Sequence, residues 1–324
     1  MSELLQSVDE RTRLAGANRL EVLLFSLGRD ARSGREEVFG INVFKVREVM
    51  HVPEITRVPD VPESVEGIVR LRGDTLPVIN LQKFCNLGAE DKPGILIVTE
   101  YNRHLQGFLV HSVDSIKRMA WRDVKVPPPM MADRHGGLVT AVSTTDDHGL
   151  VMILDVEKVL AETAGLYDDE HLFDEITEDD RTDITVLFAD DSAIARKQIE
   201  RTLKALGYKS IMAVNGQEAW EKLEKMAEEA ESADQHVRDR VQLVLTDIEM
   251  PEMDGYVLTR KIKKDGRFDG IPVVMHSSLT TESNQALGAS VGSDGYVAKF
   301  EPRELATTLR EVLVQHGLVD GADA

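Results

Sequence analysis

The chain has 324 residues, of which 42 % are hydrophobic and 5 % aromatic, and its 57 acidic and 38 basic side chains give a formal net charge of −19. This length corresponds to about two ordinary domains. The acidic excess excludes general binding to nucleic acid and argues against binding to anionic membranes by charge. The single cysteine, Cys85, excludes an internal disulfide and a multi-cysteine zinc site. With no apolar run of about 18 residues and an acidic start unlike a signal peptide, we expect a soluble, cytoplasmic protein.

Short apolar or alternating runs, separated by turn residues, recur between residues 20 and 165. They lie at 21–27, 38–43, 67–71, 75–81, 95–100, 104–111, 115–119, 138–143 and 150–154. Eight or more short strands at this spacing predict an antiparallel barrel or sandwich. The same half has no nucleophile elbow, glycine-rich phosphate loop or metal-ligand spacing of histidines, so we expect it to bind a partner and not to be an enzyme.

The next segment, residues 166–183, carries nine acidic side chains and one arginine. Such a segment repels itself and favours an extended, solvated conformation, which predicts a linker. Four of its apolar residues remain available for docking onto a neighbouring domain: Leu166, Leu172, Phe173 and Ile176. The predicted organisation is an N-terminal segment at 1–19, a first domain at 20–165, the acidic linker at 166–183, a second domain at 184–318 and a tail at 319–324.

Strands and helices alternate in the second domain. Apolar runs at 185–189, 209–214, 241–246, 271–276 and 295–298 predict five strands. Helices are expected in the gaps, near 193–206, 216–232, 255–264, 280–290 and 302–316, and Ser192 is placed to cap the first of them. This alternation predicts a doubly wound parallel sheet, whose site lies beyond the carboxyl ends of the strands.

Polar residues stand at those strand ends. Asp190 and Asp191 follow the first strand, Asp247 the third, Ser277 ends the fourth and Lys299 the fifth. Clustered carboxylates call for a cation, and oxygen ligands of this kind suit Mg²⁺. A lysine opposite them indicates an anionic ligand such as a phosphoryl group, toward which aspartate is a competent nucleophile. Each residue alone is more often a helix cap or a solvated side chain, but their common position favours a site.

Four segments resemble the receiver domain of bacterial response regulators, namely VLFADD (186–191), LVLTDIEMPEMDGY (243–256), IPVVMHSS (271–278) and GYVAKF (295–300). The resemblance implies a flavodoxin-like fold in which Asp247 accepts a phosphoryl group from a histidine kinase. It implies that Lys299 pairs with the phosphoryl oxygens, that Ser277 moves to hydrogen-bond them, and that Tyr296 changes rotamer in response. It also implies these Mg²⁺ ligands: Asp190 through water, Asp191, Asp247 and the backbone carbonyl of Glu249.

Three features depart from the usual receiver pattern. Phe300 follows the lysine where most receivers have proline, which puts the usual cis peptide bond in doubt. Glu249 carries a carboxylate two residues after the acceptor, and we expect it to alter phosphoaspartate hydrolysis by repelling or redirecting water. Residues 218–242 are long for one helix and loop. We interpret them as an insertion, with a partner surface as the alternative.

The first domain resembles the CheW-like coupling domain of bacterial chemotaxis through LLFSLG (23–28), VFGINVFKVREVM (38–50), VEGIVRLRGDTLPVINL (65–81) and LVMILDVEKVL (150–160). The resemblance implies two interlocked five-stranded SH3-like barrels that bridge chemoreceptor tips and the regulatory domain of the chemotaxis histidine kinase. It places four residues in the contact segment: Gly67, Arg70, Arg72 and Gly73. A turn requirement at Gly67 and a solvated hairpin tip at Arg72 remain equal alternatives.

The order of the two domains resembles that of CheV-type coupling proteins. This implies a scaffold, located at membrane-associated chemoreceptor arrays, that links chemoreceptors to the kinase and is modulated by phosphorylation of Asp247. Its implied partners are the kinase, chemoreceptor cytoplasmic tips and other coupling proteins, with no nucleic acid and no membrane insertion. The alternative is a phosphate sink that drains phosphoryl groups from the kinase, with the first domain only localising it.

Overall fold

The computed structural model describes residues 19–31, 33–88, 91–101, 104–128, 138–164, 173–179, 183–278 and 282–319. Leu20–Tyr167 and Asp168–Ala324 belong to two separate compact units, each with its own core. The predicted N-terminal segment at 1–19 and the tail at 319–324 lie outside the described residues except for Arg19 and Val319. Among the helices within these ranges, none has the length and hydropathy needed to cross a membrane.

The first unit is built mainly of strands, as predicted. Its elements are β1 (Arg19–Arg29), β2 (Glu36–Asn42), β3 (Val46–His51), β4 (Val65–Leu71), β5 (Asp74–Asn80), α1 (Leu81–Phe84), β6 (Ile95–Tyr101), β7 (His104–Val110), β8 (Ser112–Ala120), β9 (Val139–Thr145), β10 (Gly149–Leu154) and α2 (Val156–Ala164). They form two five-stranded sheets, ordered β8-β1-β2-β10-β9 and β3-β6-β7-β5-β4. Strand β2 pairs parallel with β10, and β5 with β7, which corrects a purely antiparallel prediction. Parallel pairing arises here because distant parts of the chain return to one sheet.

Strand β1 is rich in apolar residues because both faces of the strand are buried. Leu23, Phe25 and Leu27 face a core shared by residues of both sheets. Val22 and Leu24, on the opposite face, belong to a separate core with residues of β9 and β10. Because successive side chains of a strand point to opposite faces, one strand contributes to two cores.

The second unit confirms the predicted doubly wound sheet. Its elements are β11 (Thr185–Ala189), α3 (Ala193–Ala205), β12 (Lys209–Ala213), α4 (Gly216–Ser232), β13 (Leu243–Thr246), α5 (Gly255–Lys264), β14 (Val273–Ser277), α6 (Glu282–Val291), β15 (Gly295–Ala298) and α7 (Pro302–Gln315). All adjacent strands are parallel, in the order β12-β11-β13-β14-β15. After Thr185, strand β11 is apolar because Val186 and Phe188 pack in one core and Leu187 and Ala189 in the other.

Side-chain caps set where three of these helices begin. Ser192, Asn215 and Asp254 each accept a hydrogen bond from the backbone N–H three residues later. Such caps satisfy donors that the first helical turn leaves without an intrahelical partner. The cap at Ser192 was predicted from the sequence. Helix α4 fills most of the long 218–242 segment, and a 3-10 helix at Val237–Asp239 precedes β13.

The buried cap of α5 makes stability depend on pH. Asp254 is 4 % exposed, and burial raises the pKa of its carboxyl to about 6, although hydrogen bonds from the backbone N–H groups of Val257 and Tyr256 lower that pKa. A raised pKa lowers stability as pH rises from the unfolded value toward 6. We expect Asp254→Asn, whose amide oxygen still caps the helix, to stabilise the unit by roughly 2 kcal/mol above pH 6. The gain should be about 1 kcal/mol smaller near pH 5.

Urea unfolding near pH 5 and near pH 7.5 measures this difference. The matched control is the cap residue Asp265, whose pKa is lowered mainly by its hydrogen bond with Arg267. A lowered pKa contributes stability that is fully present above the ordinary value of 3.8 and is lost only below it, so Asp265→Asn should destabilise the protein equally near pH 5 and near pH 7.5. An Asp254→Asn gain of equal size at both pH values would contradict the prediction.

The described part of the acidic segment, residues 173–179, packs against the second unit. Phe173 and Ile176 are half-buried there, and Ile176 joins the core formed by α3 and α7. These are two of the four apolar residues expected to be available for docking, and the other two, Leu166 and Leu172, lie outside the described residues. At least this part of the segment is therefore held by the domain and does not run free in solvent.

Candidate functional site

The polar residues singled out at the strand ends meet at one edge of the second sheet. Asp190 follows β11, Asp247 follows β13, Ser277 ends β14 and Lys299 follows β15. These four strands are neighbours in the sheet, and parallel strands end on the same side. The sheet order thus brings together residues up to 109 positions apart, from Asp190 to Lys299 (299 − 190).

Lys299 is the electrostatic centre of this site. Its ammonium nitrogen lies 2.8 Å from Oδ2 of Asp190 and 3.0 Å from Oδ2 of Asp247. The three residues are 1 %, 0 % and 3 % exposed, respectively. Because a buried charge is costly unless it is paired, one cation between two carboxylates stabilises all three groups. A ligand that brings anionic oxygens to Asp247 would compete for the same ammonium.

Three carboxylates form a cluster that fits a hard divalent cation. One oxygen from each of Asp190, Asp191 and Asp247 lies within 4.8 Å of the others. Asp190 and Asp247 are buried, whereas Asp191 is partly exposed to solvent. An all-oxygen donor set with room for water is the coordination that Mg²⁺ prefers. The residues present therefore fit the predicted magnesium site.

Backbone contacts hold two of these carboxylates in place. Oδ1 of Asp190 accepts the N–H of Ser192 at 2.9 Å, and Oδ1 of Asp247 accepts that of Ile248 at 2.7 Å. The loop after Asp247 is packed closely, since a Cβ at Gly255 would lie 2.1 Å from the carbonyl oxygen of Asp247. Only glycine fits at this position without a shift of the backbone.

Two neighbouring residues were missed by the sequence analysis. A guanidinium nitrogen of Arg196 donates to the carbonyl oxygens of Asp190 and Asp191, at 2.8 Å each. His276 is 2 % exposed, with Nδ1 4.0 Å from Oδ2 of Asp190. The available signals were an arginine in the first turns after an Asp-Asp pair and a histidine inside an apolar strand. Neither signal is specific without the contact.

Ser277 and Tyr296 are in contact on adjacent strands. The Ser277 side chain hydrogen-bonds the Tyr296 hydroxyl, and burial raises the pKa of that phenol against this bond, with the charges of Asp247 and Glu249 adding to the increase. Glu249 also adds to the raised pKa of Tyr256, whose main cause is burial. The half-buried Glu249 carboxylate thus acts electrostatically on the surroundings of the site.

The backbone after Lys299 takes an unusual path. Phe300 has φ of +64°, a left-handed conformation that non-glycine residues rarely adopt. Within the part of the chain that the structure describes, no peptide bond is cis. The peptide bond between Lys299 and Phe300 is therefore trans, unlike the cis bond expected where proline follows the lysine.

In the first unit, the four predicted contact residues lie along one hairpin. Gly67 and Arg70 belong to β4, and Arg72 and Gly73 form the turn before β5, both with positive φ. Gly67 has φ of +142°, and a Cβ on it would lie 2.1 Å from the carbonyl oxygen of Thr56. This close approach gives Gly67 a structural role within strand β4, and not in a turn.

Arg72 has a partner inside its own unit. The side chain is 71 % exposed, and its guanidinium lies 3.0 Å from the carboxylate of Glu48 on β3. Strands β3 and β4 are the two outer strands of the same sheet, so this ion pair joins its edges. An exposed pair contributes little stability, and most of the Arg72 surface stays available to another protein.

Comparison with protein families identifies both units. Residues 21–164 match the model of the CheW-like domain, and residues 186–310 match that of the response regulator receiver domain. Each matched region lies within one of the two compact units, and the candidate phosphoacceptor site lies wholly in the second.

Among curated proteins, chemotaxis protein CheV3 of Helicobacter pylori is 31 % identical over 283 residues, covering 86 % of this chain and 89 % of that protein. Chemotaxis protein CheV2 of the same organism is 26 % identical over 96 % of this chain and its own full length. Chemotaxis protein CheY1, also from H. pylori, is 36 % identical over 40 % of this chain and 95 % of its own. Two of these similarities therefore span both units, and the third is confined to a region the size of one unit.

Proposed function

This chain belongs to the family of CheV chemotaxis proteins, and we propose that it couples chemoreceptors to the chemotaxis histidine kinase under control of phosphorylation at Asp247. The observation that carries the proposal is the buried triad of Asp190, Asp247 and Lys299 in a chain whose other unit is CheW-like. A phosphoacceptor needs a nucleophilic carboxylate, a cation site beside it and a lysine to pair with the transferred group. All three requirements meet at this edge.

In the proposed reaction, an oxygen of Asp247 attacks the phosphorus of a phosphohistidine on the kinase. The P–O bond forms as the P–N bond breaks, and the released imidazole takes a proton from solvent. Lys299 then pairs with the phosphoryl oxygens, Ser277 donates a hydrogen bond to them, and Tyr296 changes rotamer. The proposed Mg²⁺ ligands are Asp190, Asp191, Asp247 and the backbone carbonyl of Glu249. Bound Mg²⁺ would offset the negative charge that accumulates during transfer.

The proposed role of the first unit is docking. Its surface would bind the regulatory domain of the kinase and chemoreceptor cytoplasmic tips, and through them other coupling proteins, at membrane-associated arrays. The β4–β5 hairpin is the proposed contact segment, with the exposed Arg70 and Arg72 as the contacting side chains. Gly67 and Gly73 would shape the hairpin. We propose no enzymatic activity for this unit.

The phosphate sink remains the second candidate, and one difference separates the two. A regulated coupler must bind its partners with different affinity when Asp247 is phosphorylated, whereas a sink need not. The acidic cluster and the lysine serve both functions equally, so the distinction lies in partner binding.

A binding titration of the full chain against the kinase's regulatory domain tests the proposal. It is run in Mg²⁺ with and without beryllofluoride, which mimics a phosphoryl group on aspartate. We expect the affinity to change with the mimic in the natural chain and not in Asp247→Ala. Binding that ignores the mimic supports the sink, and no binding at all would overturn the coupling function.

Glu249 provides a prediction about signal duration. When water attacks the phosphorus of the phosphoaspartate, the bond from phosphorus to the Asp247 oxygen breaks and negative charge develops on that oxygen, so a neighbouring carboxylate raises the energy of the step. We expect Glu249→Asn to shorten the lifetime of the acyl phosphate about threefold or more, with Glu249→Gln as a second variant that keeps the side-chain length. The measurement is loss of radiolabelled phosphoryl group over time. Equal lifetimes in all three proteins would discard this role.

A further inference from the structure

One face of the described part of the acidic segment packs against the helices of the second unit. Within residues 173–179, which we call the docked segment, Phe173, Ile176 and Asp179 are half-buried and the other residues are exposed. A segment carrying this much charge would be expected to stay solvated. Every third residue of this segment is instead turned toward the second unit, which indicates that the segment packs at a specific site on it.

On one side the docked segment contacts helix α3 and the turn between α3 and β12. The guanidinium of Arg201 lies 4.4 Å from the centre of the Phe173 ring, within the range of a cation–π contact. The backbone N–H of Asp179 donates to the carbonyl oxygen of Leu206 at 3.2 Å. The Tyr208 hydroxyl, on a side chain that is largely buried, donates to the Asp179 carboxylate.

On the other side the docked segment contacts helix α7. Nε of Arg310 lies 2.9 Å from Oδ1 of Asp179, and the same guanidinium donates to the carbonyl oxygen of Thr177. Nearer the start of the helix, Arg303 lies 2.6 Å from the Glu175 carboxylate. The segment therefore bridges α3 and α7, and Asp179 is bonded to residues on both sides at once.

Helix α7 is connected directly to the candidate phosphorylation site. Lys299 ends the polar edge of the sheet, and only Phe300 and Glu301 separate it from Pro302, the first residue of α7. A phosphoryl group on Asp247 would place oxygens where Lys299 now contacts the carboxylate at 3.0 Å. The connection is two residues long and Phe300 has a left-handed conformation, so a displacement of Lys299 would act on the start of α7.

From these contacts we infer that the docked segment is a phosphorylation-sensitive clasp. The segment keeps its contacts with α3 and α7 when Lys299 contacts Asp247 directly. These contacts weaken when a phosphoryl group on Asp247 displaces Lys299. The inference rests on the proposed function of Asp247. Because coupling between two sites is reciprocal, loosening the clasp by mutation must favour the phosphorylated arrangement to the same extent.

Amide hydrogen exchange of the full chain tests the clasp in the unmutated protein. With Mg²⁺ and beryllofluoride, we expect faster exchange in the peptide covering residues 173–179 and slower exchange in the peptide covering 247–254. The Asp247→Ala chain should show neither change. The second peptide reports whether the mimic binds, independently of what the clasp does.

Two matched variants test reciprocity, since each removes one negative charge from the docked segment without changing its size. Asp179→Asn weakens the bridge to Arg310, whereas Glu175→Gln removes only an exposed pair with Arg303. We expect Asp179→Asn to bind beryllofluoride about fivefold more tightly than the natural chain and Glu175→Gln to match the natural chain within about twofold.

The outcomes separate the clasp from the proposed function. If the 247–254 peptide never responds to beryllofluoride, the proposed phosphoacceptor and the clasp are both wrong. If that peptide responds while exchange at 173–179 and the affinity of Asp179→Asn stay unchanged, only the clasp is overturned. Equal tightening by both variants would also overturn it, because the effect would then follow from net charge and not from the bridge.

Discussion

Replacing Lys299 with methionine is expected to destabilise the second unit by about 3 kcal/mol in the absence of divalent cations. Methionine has a similar length but no charge, so Asp190 and Asp247 would remain buried and face each other without a cation between them. Added Mg²⁺ should restore much of the loss, because an ion that binds only the folded state stabilises it. Lys299→Met should therefore gain more stability from Mg²⁺ than the natural chain does.

Urea unfolding with EDTA and with saturating Mg²⁺ measures both effects. The chain has two tryptophans, Trp121 in the first unit and Trp220 in the second, so a Trp121→Phe background restricts the fluorescence signal to the second unit. The control is Lys263→Met, which breaks a half-buried pair with Asp294. It should cost about 1 kcal/mol and show no extra response to Mg²⁺. A Lys299→Met chain as stable as the natural one in EDTA would contradict the assigned charge balance.

The second large effect is expected at Gly67. Alanine there would place its Cβ 2.1 Å from the Thr56 carbonyl oxygen and would have to adopt φ of +142°. The segment around Thr56, which bonds to Ile68 of β4 in both directions, would be pushed away from the sheet. We expect Gly67→Ala to lower the unfolding free energy of the first unit by about 3 kcal/mol or more.

The matched control is Gly73→Ala, six residues further along the same hairpin. Gly73 has φ of +104°, but a Cβ added there would have no atom within 4 Å, so only backbone strain of about 1–2 kcal/mol is expected. Urea unfolding is followed by Trp121 fluorescence in a Trp220→Phe background. Similar losses for the two variants would show that the contact with Thr56 is unimportant. Loss of kinase binding without loss of stability at Gly67 would instead support a direct contact role.

The candidate site was predictable because of how a parallel sheet is built. A strand buried on both faces, such as β11, is a continuous apolar run, and the residue after it is the first that can be polar. Asp190, Asp247, Ser277 and Lys299 stand at such ends, and the topology brings them to one edge whatever the details of packing. The pairing of Lys299 with both carboxylates and its near-complete burial could not be predicted, because they depend on the packing around the edge.

The first unit was less predictable, since its short strands pair across long stretches of chain. Alternation predicts that β2 and β5 are strands but does not predict their partners. Their parallel neighbours, β10 and β7, are assigned by the closing of a shared core. The structural need for Gly67 likewise follows from a contact with Thr56, which the local sequence pattern does not encode.

By itself, the sequence determined the two-domain organisation, the order of strands and helices in the second unit, and the residues of its polar edge. These properties follow from local hydrophobic periodicity, which each segment carries regardless of its neighbours. Only the tertiary structure decided that residues 173–179 dock. Their high charge predicts that they stay solvated. The contact that instead holds them, between Asp179 and Arg310, joins residues 131 positions apart. Such a long-range contact depends on the tertiary fold, so a local sequence pattern does not predict it.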